Sequence, residues 1–517
     1  MEENMKKISV SVAVILSAIM IFCMIPVSVS AAWDGTSVAT SYTAGTGTET
    51  DPFIISTESE LALLAAECLD ADNAGNAGKF YKLAGDLDLG EKNWAPIGIS
   101  SGTAFAGTFD GDGHTIRGLC IDTSENYAGL FGYVKNGTVK NLNVEAGTIK
   151  SAKYAGVVVG QLACTAAEGN YAVVENCHVT AELLDSVQIG GVVSRVSTTG
   201  ATPDQMRITG CSAEFTGIAT SGEFAGGIVG AAGSCVISYC TVTNSKIVTG
   251  GERGASAFIT VGGICACQGA SSAACHIYNC VVDNVEMSIY EGSTGKEFEV
   301  GGLVGRAAHT DMMSEIKNCF VGKVTMSNPT APDYVGSFTG VAKYMFLYNN
   351  CYVCSAPVIG VNPAMIEYPV KVVTAEQAGA VDALSVIDLN RGNSNEIWEA
   401  SAIDGHPVLN LDKCWTNVFT LGDYTEDLPA ESSSAAASSE PAATSAEPAA
   451  TSAEPAATTA APATTTAAPA TTTAAPADTT AAPETTAAAS GGCGSSVAIA
   501  CVALVSIFGM AFVSKRK

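Results

Sequence analysis

The run Phe109-Asp110-Gly111-Asp112-Gly113-His114 places two carboxylates and an imidazole close together, a set that can hold calcium or move protons. A helix-loop-helix calcium site needs further oxygen donors and a late glutamate, and neither follows here. Gly-Asp-Gly is above all a turn signal, so a turn is expected at Asp110 and Asp112. Glycosidases need two carboxyl groups facing each other at roughly 5–10 Å, and no acidic pair recurs on one face of the chain. The histidines are five and scattered: His114, His178, His276, His309 and His406. His178 and His276 stand beside cysteines, but only folding could bring a Cys-His nucleophile pair together. Cys265 and Cys267 form a C-x-C pair, without the C-x-x-C spacing of redox or zinc motifs. No G-x-S-x-G, phosphate-binding loop or H-E-x-x-H occurs. No catalytic, cofactor-binding or metal-ligating residue is therefore assigned, and no cofactor is expected.

The elements that must position these residues are set by repetition. Ala128-Gly129-Leu130-Phe131-Gly132 is echoed by boxes whose marking glycines are Gly129, Gly156, Gly191, Gly227, Gly263, Gly302 and Gly336, at steps of 27, 35, 36, 36, 39 and 34 residues. Such a period predicts a solenoid. A second box follows each glycine box, from Asn141-Leu142-Asn143-Val144 through Asn176-Cys177-His178-Val179 and Asn279-Cys280-Val281-Val282 to Asn350-Cys351-Tyr352-Val353. Its alternation of apolar and polar residues has the period of a strand. Glycine before a short aliphatic run suits close stacking of one coil on the next, and Asn or Gly before the cysteine suits a turn with positive φ. An all-β, parallel β-helix-like solenoid is expected.

Eighteen cysteines in an exported chain invite a disulfide framework. Yet Cys177, Cys211, Cys240, Cys280, Cys319 and Cys351 share one repeat position, where the first repeat carries Leu142. A place that takes Leu or Cys reads as interior, which predicts a ladder of buried thiols. A helix is expected at Glu58–Leu69, where Leu61, Leu64, Ala65 and Cys68 share a face. The block from Trp398 to Leu409 is expected to cap the other end of the solenoid, because exposed strand edges invite aggregation.

Composition bounds the function. Of 517 residues 47% are hydrophobic and only 15% charged, so the chain can bury a large core. Its net charge of −26 repels nucleic-acid phosphates, and no nucleic-acid partner is expected. Residues 1–31, with Lys6 and Lys7, an apolar run and then Ser28-Val29-Ser30-Ala31-Ala32, read as an export signal; a retained N-terminal anchor is the alternative. Residues 426–492 are almost wholly Ala, Thr, Pro, Ser and Glu, with proline every seventh residue from Pro441 to Pro483, a composition that cannot form a core and predicts a disordered, extended stalk. Residues 493–517 contain the uncharged run Gly494 to Val513 and then Lys515-Arg516-Lys517, which predicts one transmembrane helix with its C-terminus inside.

The glycine boxes resemble the GLUG-motif repeats of bacterial surface and secreted proteins, with Gly129-Leu130-Phe131-Gly132 the nearest copy. The resemblance runs over roughly residues 47–412, from Asp51-Pro52-Phe53-Ile54-Ile55 to Pro407-Val408-Leu409, and two boxes, at Gly191 and Gly263, lack the final glycine. It implies a right-handed solenoid in adhesin-like chains, found beside protease domains in some immunoglobulin A peptidases, with no catalytic residue in the motif itself. Gly491-Gly492-Cys493-Gly494 and the basic end also resemble bacterial sorting tails, though no LPxTG precedes them. Cys493 is either a processing or lipidation site or a juxtamembrane thiol.

The expected layout is an N-terminal cap and first coils at 32–120, repeats at 121–360, a closing segment at 361–425, then stalk and anchor. The expected function is a non-enzymatic bacterial cell-surface adhesin, held in the cytoplasmic membrane by its C-terminal helix, whose ectodomain binds an extracellular glycan or protein. A surface-tethered polysaccharide-active β-helix enzyme and a structural spacer are the alternatives.

Overall fold

The computed structural model describes residues 33–70, 76–250 and most of 258–353, with short pieces at 371–372, 389, 393, 397–400 and 407–410. All belong to a compact unit that ends at Pro429. The expected export signal, stalk and membrane span lie outside the described residues, among which no helix is long and apolar enough to cross a membrane.

The fold is a parallel β-solenoid. Seven strands, Phe131–Lys135, Val159–Thr165, Val193–Thr199, Val229–Ala232, Cys265–Gln268, Val304–Ala307 and Thr339–Ala342, stack in chain order into one sheet. The other strands of the coils form a larger sheet whose ladders are likewise parallel, each strand paired with its counterpart one coil on, as Ala172–Gly190 pairs with Thr138–Lys150 before it and Ser212–Gly226 after it. The stack begins before the glycine boxes, with Phe53–Ile55 on Phe80–Leu83 on Thr108–Asp110.

The glycine boxes act as expected. The Gly191 amide donates to Gly226 O and the Gly227 amide to Gly262 O, so consecutive bends sit directly on one another. A methyl group on Gly227 would collide with the Gly263 carbonyl oxygen and lie 2.7 Å from Val242. The final glycine of the box meets a second backbone, since a methyl on Gly230 would fall 2.5 Å from Ile189 O. Ser194 and Ala266 replace that glycine in the two incomplete boxes; both are fully buried and the array continues through them.

The second box turns as its residues predict. Asn141, Asn176, Asn279 and Asn318 all have φ between 50° and 53°, Gly210 has 63°, and Tyr239 takes the same left-handed conformation at 55°. The following position points inward. Cys177 pairs in register with Leu142, and the six ladder cysteines are each at most 1% exposed. The thiols of Cys177, Cys211, Cys240, Cys280 and Cys319 donate to the carbonyl two residues back, as Cys280 does to Tyr278 O at 3.3 Å. No described cysteine is joined in a disulfide. Burial pushes the Cys280 and Cys319 thiols well above their ordinary pKa.

Helix α1, Glu58–Leu69, starts on a capping box in which Thr57 and Glu60 satisfy each other's amides. Leu61, Leu64, Ala65 and Cys68 join the solenoid core.

The closing segment departs from the end-cap expectation. Trp398–Ala400 pairs antiparallel with Pro407–Leu409, and Trp398 packs with Leu389 and Ile397 against Val281 and Phe320, beside Tyr239. Trp398 Nε1 donates to Asn279 Oδ1 at 3.1 Å, and Asn393 exchanges amide hydrogen bonds with Asn279. The segment is thus a clasp on the flank of the solenoid. Its cause is visible in the outward column that holds Asn143, His178, Ser212 and Thr241 in early coils and turns apolar at Val281 and Phe320, which need cover.

Two outcomes test this packing. Gly227→Ala should lower unfolding stability by about 2 kcal/mol or more through forced separation of coils, whereas Gly85→Ala, with open space around it, should be near neutral in denaturant titrations. The ladder thiols should alkylate slowly in the native state and rapidly after denaturation; fast native labelling of Cys280 would place it outside the core.

Candidate functional site, a re-entrant seam between two side-chain columns

The strand entering each glycine bend and the strand leaving it carry outward side chains that turn toward each other. On the entering strands, in-register pairing makes one column of Tyr127, Tyr154, Gln188, Phe224, Thr260, Glu299 and Tyr334. On the leaving strands the column is Tyr133, Gln161, Arg195, Ala231, Cys267, Arg306 and Val341. Their neighbours Ile189, Val261, Val193 and Val196 lie in the main core, whereas Phe224, Ala231, Ala266 and Cys267 form a separate apolar cluster. The bend therefore closes on its outer side into a seam along the solenoid.

Its chemistry changes from coil to coil. In the first coils the Tyr127 and Tyr154 rings stack with centroids 5.3 Å apart, and Tyr133 meets Tyr127 edge-on at 5.2 Å. Arg195 donates from Nη1 to the Tyr154 hydroxyl at 2.5 Å and lays its guanidinium 5.1 Å from that ring's centre, while Lys153 Nζ sits 5.4 Å from it. Burial, with Tyr133 and Tyr154 beside it, pushes the Tyr127 hydroxyl pKa up, so it stays a neutral donor. The middle coils are apolar at Phe224 and Cys267. Further on, Arg306 Nη1 donates to Glu299 Oε1, and Thr260 Oγ1 donates to Glu299 Oε2 at 2.9 Å, with the carboxylate fully buried. Gln188 donates to Glu223 at 3.4 Å, and its buried Oε1 has no partner.

The residues singled out from the sequence fall elsewhere. Asp110 and Asp112 form the expected turn: Asp112 has φ of 52° and its amide donates to Asp110 Oδ1. Burial alone would raise the Asp110 pKa, but Asn141, the Asp112 amide and Lys140 outweigh it and hold the carboxylate low. His114 Nδ1 lies 3.5 Å from Asp86 Oδ1. His309 and His406 are outside the described residues. Cys265 and Cys267 point to opposite sides, one into the core and one into the seam. Among the described residues no group of three His, Cys, Asp or Glu side chains is placed to hold a metal.

His178 is organised beyond what the sequence showed. Asn141 Nδ2 donates to Asp110 Oδ1, Asn176 Nδ2 donates to Asn141 Oδ1, and Asn176 Oδ1 faces His178 Nε2 at 2.9 Å. That polarity puts the His178 proton on Nε2, leaving Nδ1 to accept from Ser212 Oγ at 2.8 Å. The seam was equally unseen, although aromatic or long polar residues two places before the first glycine of every box but the one at Gly262 were its signal.

Breaking the buried pair has a computable sign. Arg306→Ala should cost about 3–5 kcal/mol by stranding the Glu299 charge, and adding Glu299→Gln should recover part of that loss in urea unfolding.

No family model matches the chain. Halomucin of Haloquadratum walsbyi is 31% identical over 178 residues, which is 32% of this chain and 2% of halomucin, so the chain spans a small fraction of that relative's length. A solved IgA1 protease chain matches with a TM-score of 0.37 at 17% identity, over 59% of this chain and 21% of that one. The crystal structure of a proposed immunoglobulin A1 protease from Bacteroides ovatus superposes with a TM-score of 0.50 at 19% identity, over 72% of this chain and 95% of that one, a likeness in fold alone.

Proposed function

We propose that this chain is a non-enzymatic bacterial cell-surface protein of the GLUG-repeat kind, whose right-handed solenoid binds an extracellular glycan along the seam. Export by residues 1–31, a stalk at 426–492 and a membrane helix in 493–517 would hold it at the surface. A relative named halomucin fits this setting. The observation that carries the reading is the group Tyr127, Tyr133, Tyr154 and Arg195, aromatic faces and a guanidinium fork at a re-entrant corner. Sugars are recognised by flat apolar faces with a few fixed polar groups, which is what this corner supplies.

A second reading, a surface-tethered polysaccharide-active enzyme, is favoured by the Ser212 hydroxyl on His178 Nδ1, a nucleophile and base within hydrogen-bond reach. That pair suits removal of an acyl group from an acylated sugar.

A glycan array and a turnover screen on residues 32–425 separate the readings. Saturable binding without cleavage, weakened on the order of tenfold or more by Tyr127→Ala with Tyr133→Ala, is expected. Acyl release lost in Ser212→Ala would replace it with the enzyme, and neither binding nor turnover would leave a structural spacer.

A further inference from the structure

The charge balance of the seam names the sugar more closely. The chain has 51 carboxylates against 25 Lys and Arg, so two cations on one ring with no carboxylate between them call for an explanation. Among the described residues Lys82 pairs with Asp112, Arg117 with Asp86, Lys140 with Asp110, Lys246 with Glu286, Arg306 with Glu299 and Lys317 with Glu315, while Lys79 and Arg207 lie over single rings, those of Phe53 and Tyr171. Arg195 and Lys153 both lie within 5.4 Å of the centre of the Tyr154 ring and make no ion pair. One N–H of the Arg195 fork goes to the Tyr154 hydroxyl, and the hydroxyl thereby fixes the plane in which the other donors lie.

The surroundings match one class of ligand. Arg195 is half-buried and Lys153 exposed, so the fork is partly desolvated while an entry side stays open. Arg195 pairs in register with Ala231, whose methyl group brings no charge to the fork from the next coil. The Tyr127 ring is half-exposed beside them, and the neighbouring Gln188 offers a buried Oε1 that lacks a donor, the complement of a sugar hydroxyl. A planar carboxylate meets a guanidinium fork in two parallel hydrogen bonds, which a neutral sugar cannot do.

Building on the glycan-binding reading, we propose that the Tyr127, Tyr154 and Arg195 corner is a subsite for a carboxylated hexose, the carboxylate on Arg195 and Lys153 and the ring against Tyr127.

The test uses the full-length chain in detergent and two matched probe pairs: oligogalacturonate against its carboxyl-reduced form, and sialyllactose against lactose. One acidic probe should bind on the order of tenfold more tightly than its neutral partner. Arg195→Gln should weaken the acidic probe far more than its neutral partner and so erase that preference, Arg195→Lys should restore part of it, and Tyr127→Ala should weaken both members of the pair. Thermal unfolding of each variant at the wild-type temperature shows that the fold is intact. Equal binding of acidic and neutral partners, unchanged in Arg195→Gln, overturns the carboxylate subsite and leaves the glycan reading standing. No binding of any probe overturns both. Polyglutamate bound as tightly as the sugars overturns the subsite in favour of plain charge attraction.

Discussion

The spacing between coils governs this molecule. Parallel main-chain hydrogen bonding sets neighbouring strands at about 4.8 Å, and at the bends that distance leaves no room for a side chain between successive backbones. Glycine at 191, 227, 263 and 302 is the consequence, each facing the carbonyl of the next bend. Because every coil is held to the same register at this point, residues elsewhere in the repeat fall into columns. The thiol ladder, the asparagine turns and both walls of the seam are such columns.

A column converts one repeat position into a line of side chains, and its composition can change along that line without disturbing the backbone. The seam shows this most clearly, passing from tyrosines and Arg195 through Phe224 and Cys267 to the Glu299 and Arg306 pair. The outward column of the second box does the same, moving from His178 and Ser212 to Val281 and Phe320, where the clasp covers it. Architecture and surface chemistry are therefore separable here, the first resting on the bends and the second on the residues beside them.

Much of the fold was legible because its signals are local. Glycine spacing gave away the coil period, Asn or Gly before the cysteine marked the left-handed turn, and Leu142 at a cysteine position marked the interior. Helix α1 was visible from its apolar face. The clasp was misplaced because its partner is non-local: nothing near Trp398 says that Asn279 and Phe320 await it, though the apolar change in their column was a readable hint. The seam and the Asp110 to Ser212 chain of hydrogen bonds escaped for a related reason. Their members sit about a coil apart in sequence, and only the register of stacked strands joins them.

The clasp has a consequence for how the chain reaches its native form. Coils joined to their nearest neighbours can form in succession, but Trp398 meets Asn279 across 119 residues. Its docking surface exists only after the coils carrying Tyr239, Asn279 and Phe320 have assembled. A stack slipped by one repeat would offer Thr241 where the apolar Val281 is required. The late-arriving segment thus proofreads the alignment of a repetitive array, a task that interactions between identical neighbours cannot perform for themselves.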